Sequence, residues 1–368
     1  MRIGVDIREL ERGKRTGIGR FLLTVLGSPV LRSSRHEWIL MGNQRTVAPG
    51  GFPFVQVTER SRLIWDQCLL PSVLRRHAIQ VLFSPYRKAP LWRSCPYVVT
   101  IHDLFPFSLT GHRSIRELAF WTFMRLVAKR AARIITVSQF VKQEIVERLQ
   151  VPPDKITVIY HGLDPSFCPV NPDQANERVA RTFGIEGGYI LFVGQLKPHK
   201  NVDKLITAYA SLPGSLRRRY TLLIVGGDGS YRTTLEQLIV QRGVSDSVRL
   251  LGAVEDTLLP ALYSQAAVCA LPSRHEGFGL PALEAMACGC PVIAARCTAL
   301  PEVVGDAGLF VDPDEPHELA NVLEDVLSDE SLRTELRTRG FERARLFSRD
   351  EAVGRLLEVF DAMEQERA

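Results

Sequence analysis

Two series of short apolar runs, each run separated from the next by a helical pattern, limit what this chain can fold into more than any other feature. The first series comprises residues 3–6, 38–41, 81–84, 98–101, 134–137 and 156–159. The second comprises residues 189–193, 222–225, 248–251, 268–271, 292–295 and 309–311. Runs this short read as strands, and strands without a polar face need cover on both sides. Strands that alternate with helices build a parallel sheet flanked by helices. Two such series predict an α/β protein of two doubly wound domains, and 368 residues with 45% hydrophobic content suffice for two cores. Between the series, Pro165, Pro169 and Pro172 and the scattered charges up to Arg181 have linker composition, which puts the boundary between about 165 and 185. The expected domains are therefore 1–170 and 171–349. A helical tail begins near Glu330 and a last helix covers 351–363. No apolar run approaches the roughly 18 residues of a membrane span, and residues 1–6 read as a strand rather than a signal peptide, so the expected location is the cytoplasm.

Residues 275–291, HEGFGLPALEAMACGCP, hold the densest chemistry. Gly277 and Gly279 flank Phe278 and allow positive φ and close approach of the backbone to a ligand. Leu280 and Pro281 then open a helix, and Gly289 and Pro291 stop it before the next strand. A helix start offers unpaired N–H groups and a positive dipole end, which suit a phosphate. Glu276 stands before that start and Glu284 inside it. Two acids beside a phosphate site make sense as acceptors of hydroxyl hydrogen bonds, and a sugar nucleotide supplies both phosphate and hydroxyls. The plainer alternative, a solvated loop acid and a helix-dipole acid, stays open on spacing alone.

Two further stretches join a strand to a helix. After strand 3–6 and a polar loop over 8–15 come Thr16, Gly17, Ile18, Gly19 and Arg20, a phosphate-approach pattern. Leu22 occupies the third glycine position of a dinucleotide fingerprint, so a nicotinamide site is not expected. After strand 189–193 come Gly194, Gln195, Leu196, Lys197, Pro198, His199, Lys200 and Asn201, where Lys200 can neutralise a diphosphate. Gly226, Gly227, Asp228 and Gly229 also follow a strand and read equally as a phosphate loop or a simple turn. His102 and Asp103 stand at the carboxyl end of strand 98–101, where ligands of open sheets gather. Asp312, Pro313 and Asp314 match an acid-any-acid metal pattern, yet Pro316 and Glu318 follow, and the stretch reads as a turn and helix cap. The seven cysteines lack metal-ligand spacing, and the pair Cys288 and Cys290 flanks Gly289, so free buried thiols are expected.

With Glu276 and Glu284 as its Glu, seven residues, Glu element, the chain resembles the retaining glycosyltransferases of family 4, which have the GT-B architecture. The resemblance extends over almost the whole chain, through HGLD, GQLKPHKN, LPALYSQAAVCALPS and ALPEVVGDAGLFVDPDEPHELA. It implies two Rossmann-like domains facing across a cleft, with the C-terminal helix, 350–368, crossing back onto the first. The second domain would bind a nucleotide-sugar donor and the first an acceptor. The resemblance further implies that Gly17 and Gly19 lie near the donor phosphates and that the nearby Arg20 and Asp103 face the acceptor. It gives His102 and Glu276 contacts to the donor sugar and Glu284 the ribose, with Gly194, Gln195, Lys197, Lys200, Gly277, Phe278, Gly279 and Leu280 also on the donor. Most members carry an arginine where this chain has Gln195, and Lys197 is the nearest replacement. Retention would proceed without a covalent nucleophile, the leaving phosphate helping to deprotonate the incoming hydroxyl, and no metal or cofactor is required. GQLKPHKN resembles bacterial mannosyl-transferring members, which points to GDP-mannose and to a glycan or lipid-linked acceptor.

Charge divides unevenly. Residues 1–174 carry 25 Lys and Arg against 13 Asp and Glu, a balance of +12, and residues 175–368 carry 21 against 28, a balance of −7. Trp121, Phe123, Met124, Leu126 and Val127 lie among Arg113, Arg116, Arg125, Lys129, Arg130 and Arg133, the pattern of a basic helix that docks on an anionic membrane or of a core helix with a solvated face. Two other function classes remain at this level: a GT-B sugar-nucleotide epimerase or hydrolase, and a basic nucleic-acid-binding protein suggested by a pI near 8.9. The second lacks aromatic and basic interleaving, so no nucleic-acid partner is expected.

Overall fold

The computed structural model describes residues 1–12, 16–59, 61, 64–92, 94–105, 115–227 and 231–367, without the side chain of Arg116. The chain forms two compact units, Met1–Gly162 with Ser348–Ala368, and Leu163–Phe347. The first unit is built on a seven-stranded parallel sheet of β1 (Arg2–Asp6), β2 (Glu37–Gly42), β3 (Phe54–Gln56), β4 (Val81–Ser84), β5 (Tyr97–Ile101), β6 (Arg133–Thr136) and β7 (Ile156–Val158). Their order is β3-β2-β1-β4-β5-β6-β7. Winding therefore reverses between β1 and β4, where Ile3 sits opposite Trp38 on one side and Val81 on the other.

The two faces of this sheet follow from period-two alternation. Trp38, Leu40, Val81, Phe83, Val98 and Ile135 point into one core cluster, while Ile39, Met41, Leu82, Tyr97, Val99 and Ile134 point into the other. Phe54–Gln56 was not foreseen, because three residues at a sheet edge give no periodic signal. The helix after β1 begins at Gly17, because the Thr16 hydroxyl caps it by accepting from the Gly19 N–H.

The C-terminal helix, Arg349–Gln365, belongs to the first unit. Phe360 is fully buried and meets Trp38 and Phe83 edge-on at ring-centroid distances of 5.5 and 5.8 Å. Asp361 pairs with Arg35 at 2.6 Å. The chain leaves the first unit at Gly162, where an added Cβ would lie 2.4 Å from Arg349 Cα, so only glycine lets the outgoing chain pass the start of the returning helix. One residue on, the Leu163 N–H donates to the Phe347 carbonyl at 2.8 Å.

The second unit carries six parallel strands: β8 (Gly188–Val193), β9 (Tyr220–Val225), β10 (Val248–Gly252), β11 (Val268–Leu271), β12 (Val292–Ala295) and β13 (Gly308–Val311). Their order is β10-β9-β8-β11-β12-β13, with the reversal between β8 and β11. The stretch after Asn171, read as linker, is instead the helix Pro172–Phe183. Asn171 caps it, Pro172 sits in the first turn, and Ala175 and Val179, one turn apart, are its buried residues. A helix with so narrow an apolar stripe looks like a linker in sequence.

Phe360→Ala should lower the unfolding free energy by about 3–5 kcal/mol, the range for an emptied aromatic site. Denaturant titration of the whole chain, following near-ultraviolet signal, checks this.

Candidate functional site

In the second unit, the loops after β8 and β11 emerge side by side at the carboxyl edge where winding reverses, the position at which open parallel sheets bind ligands. The β8 loop runs from Gly194 through a short 3-10 turn, Pro198–Lys200, to Asn201 and the helix Val202–Ser211. Gln195 and Lys197 are exposed, and Lys200 is partly buried. The β11 loop brings Glu276 onto it: Lys200 Nζ donates to Glu276 Oε1 at 2.6 Å, with side-chain exposures of 16% and 12%. The residue expected to meet phosphate and the residue expected to meet sugar hydroxyls thus form one charged pair. The Arg274 N–H donates to the His199 carbonyl at 2.8 Å and ties the two loops by backbone as well. Burial, with Lys200 close by, pushes His199 down to about 4 and keeps it neutral beside that lysine. Asn201 adopts φ +53° and its side-chain amide donates to the Pro313 carbonyl at 2.7 Å. A Cβ on Gly226 would lie 1.9 Å from the Gly194 carbonyl oxygen, so these two glycines bring the loops after β8 and β9 into backbone contact. Asp228 and Gly229 lie outside the described residues.

Gly279 adopts φ +99° as the cap of the helix Leu280–Ala287, with Pro281 in its first turn. Phe278 is buried against Phe347 at 5.8 Å and anchors the turn. Glu284 is 3% exposed, and the Tyr263 hydroxyl donates to its Oε2 at 3.1 Å. Its partner tyrosine was not singled out from sequence, since it lies on another helix, Leu259–Gln265. Cys288 and Cys290 are buried free thiols, and Cys269 is a third. Burial pushes their pKa values up. Cys68 and Cys168 depart from that expectation, being exposed. Asp312 and Asp314 serve a turn: Asp312 Oδ1 accepts from the Asp314 N–H at 2.8 Å, Glu318 accepts from the Asp312 N–H at 2.7 Å, and Asp314 pairs with Arg274 at 2.5 Å.

The first unit places its candidate residues at its own winding reversal. Gly17 and Gly19 are the first and third residues of the helix Gly17–Gly27 and not part of the loop before it, because Thr16 caps that helix; Arg20 follows within the first turn. Of the polar loop over 8–15, residues 13–15 lie outside the described set. His102 stands just past β5, and its Nε2 lies 2.9 Å from the Pro85 carbonyl, which only accepts, so the ring N–H is on Nε2 and Nδ1 is left as an acceptor. His161, absent from the sequence-derived set, stacks on His102 with centroids 5.3 Å apart and planes 7° from parallel. Phe21 meets both rings edge-on at 5.2 Å. Burial holds both histidines below the usual value, His161 strongly so, and the nearby His102 lowers His161 further. Asp103 pairs with Arg87 at 3.0 Å. Deeper, Arg8 is sandwiched between Asp6 at 2.7 Å and Asp66 at 2.5 Å with its guanidinium 4.7 Å from the Trp65 ring, a network no local motif announces.

Two doubly wound parallel sheets, each with its candidate side chains at the carboxyl edge of the winding reversal, define the GT-B class. Sucrose-phosphate synthase (tll1590) from Thermosynechococcus elongatus superposes with a TM-score of 0.82 at 20% identity, covering 100% of both chains. Anabaena Alr3699/HepE, solved in complex with UDP and glucose, gives a TM-score of 0.79 at 21% identity over 98% of this chain and 100% of that one. At such identities the likeness speaks for the fold. The family model "Glycosyl transferases group 1" matches residues 173–343 and "Glycosyltransferase Family 4" matches residues 23–167. The chain belongs to this glycosyltransferase group 1 and family 4 lineage. It is 36% identical over 253 residues to the O-antigen chain mannosyltransferase B of Escherichia coli, covering 68% of this chain and 66% of that one. Across the curated relatives it matches, the chain spans from 30% to 66% of their length.

The neutral histidine stack has a pH signature. A histidine whose folded pKa lies below its unfolded value near 6.5 adds stability that is complete above that pH and is lost as pH falls through the window below it. Thermal unfolding should therefore shift to lower temperature between pH 7 and pH 5, and His161→Phe should flatten that slope. Calorimetry across the range checks both.

Proposed function

We propose that this protein is a glycosyltransferase that moves a hexose from a nucleotide sugar to a hydroxyl acceptor with retention of configuration and without a required metal ion. The observation that carries the reading is the Lys200–Glu276 pair at the carboxyl edge of β8 and β11. A cation and an acid acceptor on one centre suit the point where a diphosphate joins a sugar. Lys200 and the helix start at Leu280 stabilise the departing diphosphate. Glu276 holds sugar hydroxyls and Glu284 with Tyr263 receives the ribose, while in the first unit His102 offers Nδ1 as an acceptor to a sugar hydroxyl. Gly194, Gly277, Phe278 and Gly279 shape the donor loops, and Gln195 and Lys197 border them. Arg20 and Asp103 serve the acceptor. The leaving phosphate helps deprotonate the incoming hydroxyl. The O-antigen chain mannosyltransferase relative supports mannose as the transferred sugar and a glycan chain as acceptor, a reading we extend to GDP-mannose and to a lipid-linked acceptor.

Purified protein should convert a nucleotide sugar, GDP-mannose first, in excess EDTA, and proton NMR of the first-formed product should show the donor's anomeric configuration. Glu276→Gln should lower turnover by about 10²–10³, the cost of a lost transition-state contact, and Glu284→Ala should weaken nucleoside diphosphate binding roughly tenfold or more. An inverted product, or fast turnover of donor with water alone, replaces this reading with another GT-B chemistry.

A specific surface supports membrane docking by the first unit. No helix among the described residues is long and apolar enough to cross a membrane. In the helix Ile115–Arg130, Met124 and Val127 are buried, and Trp121 and Phe123 pack against the core, so four of the five apolar residues noted in sequence belong to the fold. Arg125 bonds to Gln150, and Arg113 and the Arg116 side chain lie outside the described residues. Ile115, Leu118 and Leu126 remain exposed, with Lys129 and Arg130 on the same helix, and Trp92 is 84% exposed on the loop whose Leu91 carbonyl accepts from Arg130. The whole unit carries 28 Lys and Arg against 17 Asp and Glu, a balance of +11. Co-sedimentation with phosphatidylserine-containing vesicles at low salt is expected. Lys129→Glu with Arg130→Glu should weaken it at least tenfold, since each basic residue near the surface contributes about 1 kcal/mol. Wild-type protein that stays in the supernatant at low salt refutes docking.

A further inference from the structure

Thr298 adopts φ +57°, the left-handed region in which a β-branched side chain is least at ease. A turn that needed only this backbone shape would be better served by glycine or asparagine. What the threonine adds is its hydroxyl: Thr298 Oγ1 accepts from the Glu276 N–H at 3.2 Å. Its neighbours bind the same loop. The Ala299 N–H donates to the Glu276 carbonyl at 3.4 Å, and the Cys297 thiol lies 3.5 Å from the Ser273 carbonyl and 3.6 Å from that of Arg274. Residues 297–299 after β12 therefore run along residues 273–276 after β11 and hold the peptide of Glu276 on both its N–H and its carbonyl side. That loop is joined in turn to the one bearing Lys200 through Arg274 and the His199 carbonyl.

We propose that Thr298 is a positioning residue whose strained backbone aims its hydroxyl at the Glu276 amide and so fixes the Glu276 carboxylate against Lys200 Nζ. Strain of this kind persists where the surroundings over-determine it, and here the surroundings are the residues argued to carry the reaction. A loop free to shift by a fraction of an ångström would keep the donor bound and lose the aligned acid, because turnover is more sensitive than binding to misplacement at the reacting centre. The inference rests on the reading that Glu276 acts in turnover.

Four variants of the full chain test it in one assay of kcat and donor KM: Thr298→Val keeps the shape and removes the acceptor, Thr298→Gly relaxes the backbone and removes the acceptor, Thr298→Ser keeps the acceptor, and Glu276→Gln is the reference. The expected result is a kcat at least tenfold lower for Val and Gly, with donor KM within threefold of wild type, and a Ser variant within threefold on both. Thr298→Val added to Glu276→Gln should cost less than twofold more, since residues that act through one another are not additive. Val and Gly variants with wild-type kcat beside an impaired Glu276→Gln overturn the positioning role and leave the function intact. Full additivity in the double variant also overturns it. A Glu276→Gln enzyme with unchanged kcat overturns both readings. Should the Val variant not fold, the Gly and Ser pair carries the same comparison.

Discussion

A parallel strand can be continued only by a crossover, so every loop that follows a strand in this protein leaves the same edge of its sheet. That constraint gathers the chemistry. In the second unit it brings to one edge the loop of Lys200, the loop of Glu276 and the segment around Thr298, which belong to β8, β11 and β12. In the first unit it does the same for the Gly17 helix start, Pro85 and His102. The apolar strands make the edge rigid, and the edge in turn makes short polar loops precise.

The polar groups collected there are managed by pairing or by neutrality. Lys200 and Glu276 compensate each other, and Arg8 is enclosed by Asp6 and Asp66 under the Trp65 ring. The histidines take the other route. Burial of the stacked pair disfavours charge on both His102 and His161 and lowers both pKa values, and His102 keeps a defined tautomer through Pro85. A histidine of fixed tautomer presents a known acceptor, which a solvated imidazole would not.

Most of the architecture was legible in the sequence, because repeated apolar runs of three to five residues leave little choice but buried parallel strands. Where signals were weak, the reading failed for physical reasons. Phe54–Gln56 is too short for periodicity, and Pro172–Phe183 buries only Ala175 and Val179, so its polar surface resembled a linker. The candidate residues stood out one by one in the sequence, but their contacts did not. Glu276 and Lys200 were each singled out, yet their pairing depends on β11 lying next to β8 with two strands intervening in sequence. Tyr263 and His161 lie inside stretches that carry the resemblance, yet neither they nor Thr298 stand out alone; each matters through a partner on another element.

The crossing at Gly162 gives the chain an unusual plan of construction. Residues 163–347 form a continuous segment whose first and last residues are hydrogen bonded to each other, while Gly162 and Arg349 touch just outside it. The second unit is thus an insert spliced into the first, entering and leaving through one narrow doorway. Its ends need no closure by the host, so it can fold on its own timetable, as a loop already tied. The host has no such independence: Trp38 and Phe83 take their edge-on partner, Phe360, from the segment that follows the insert in sequence.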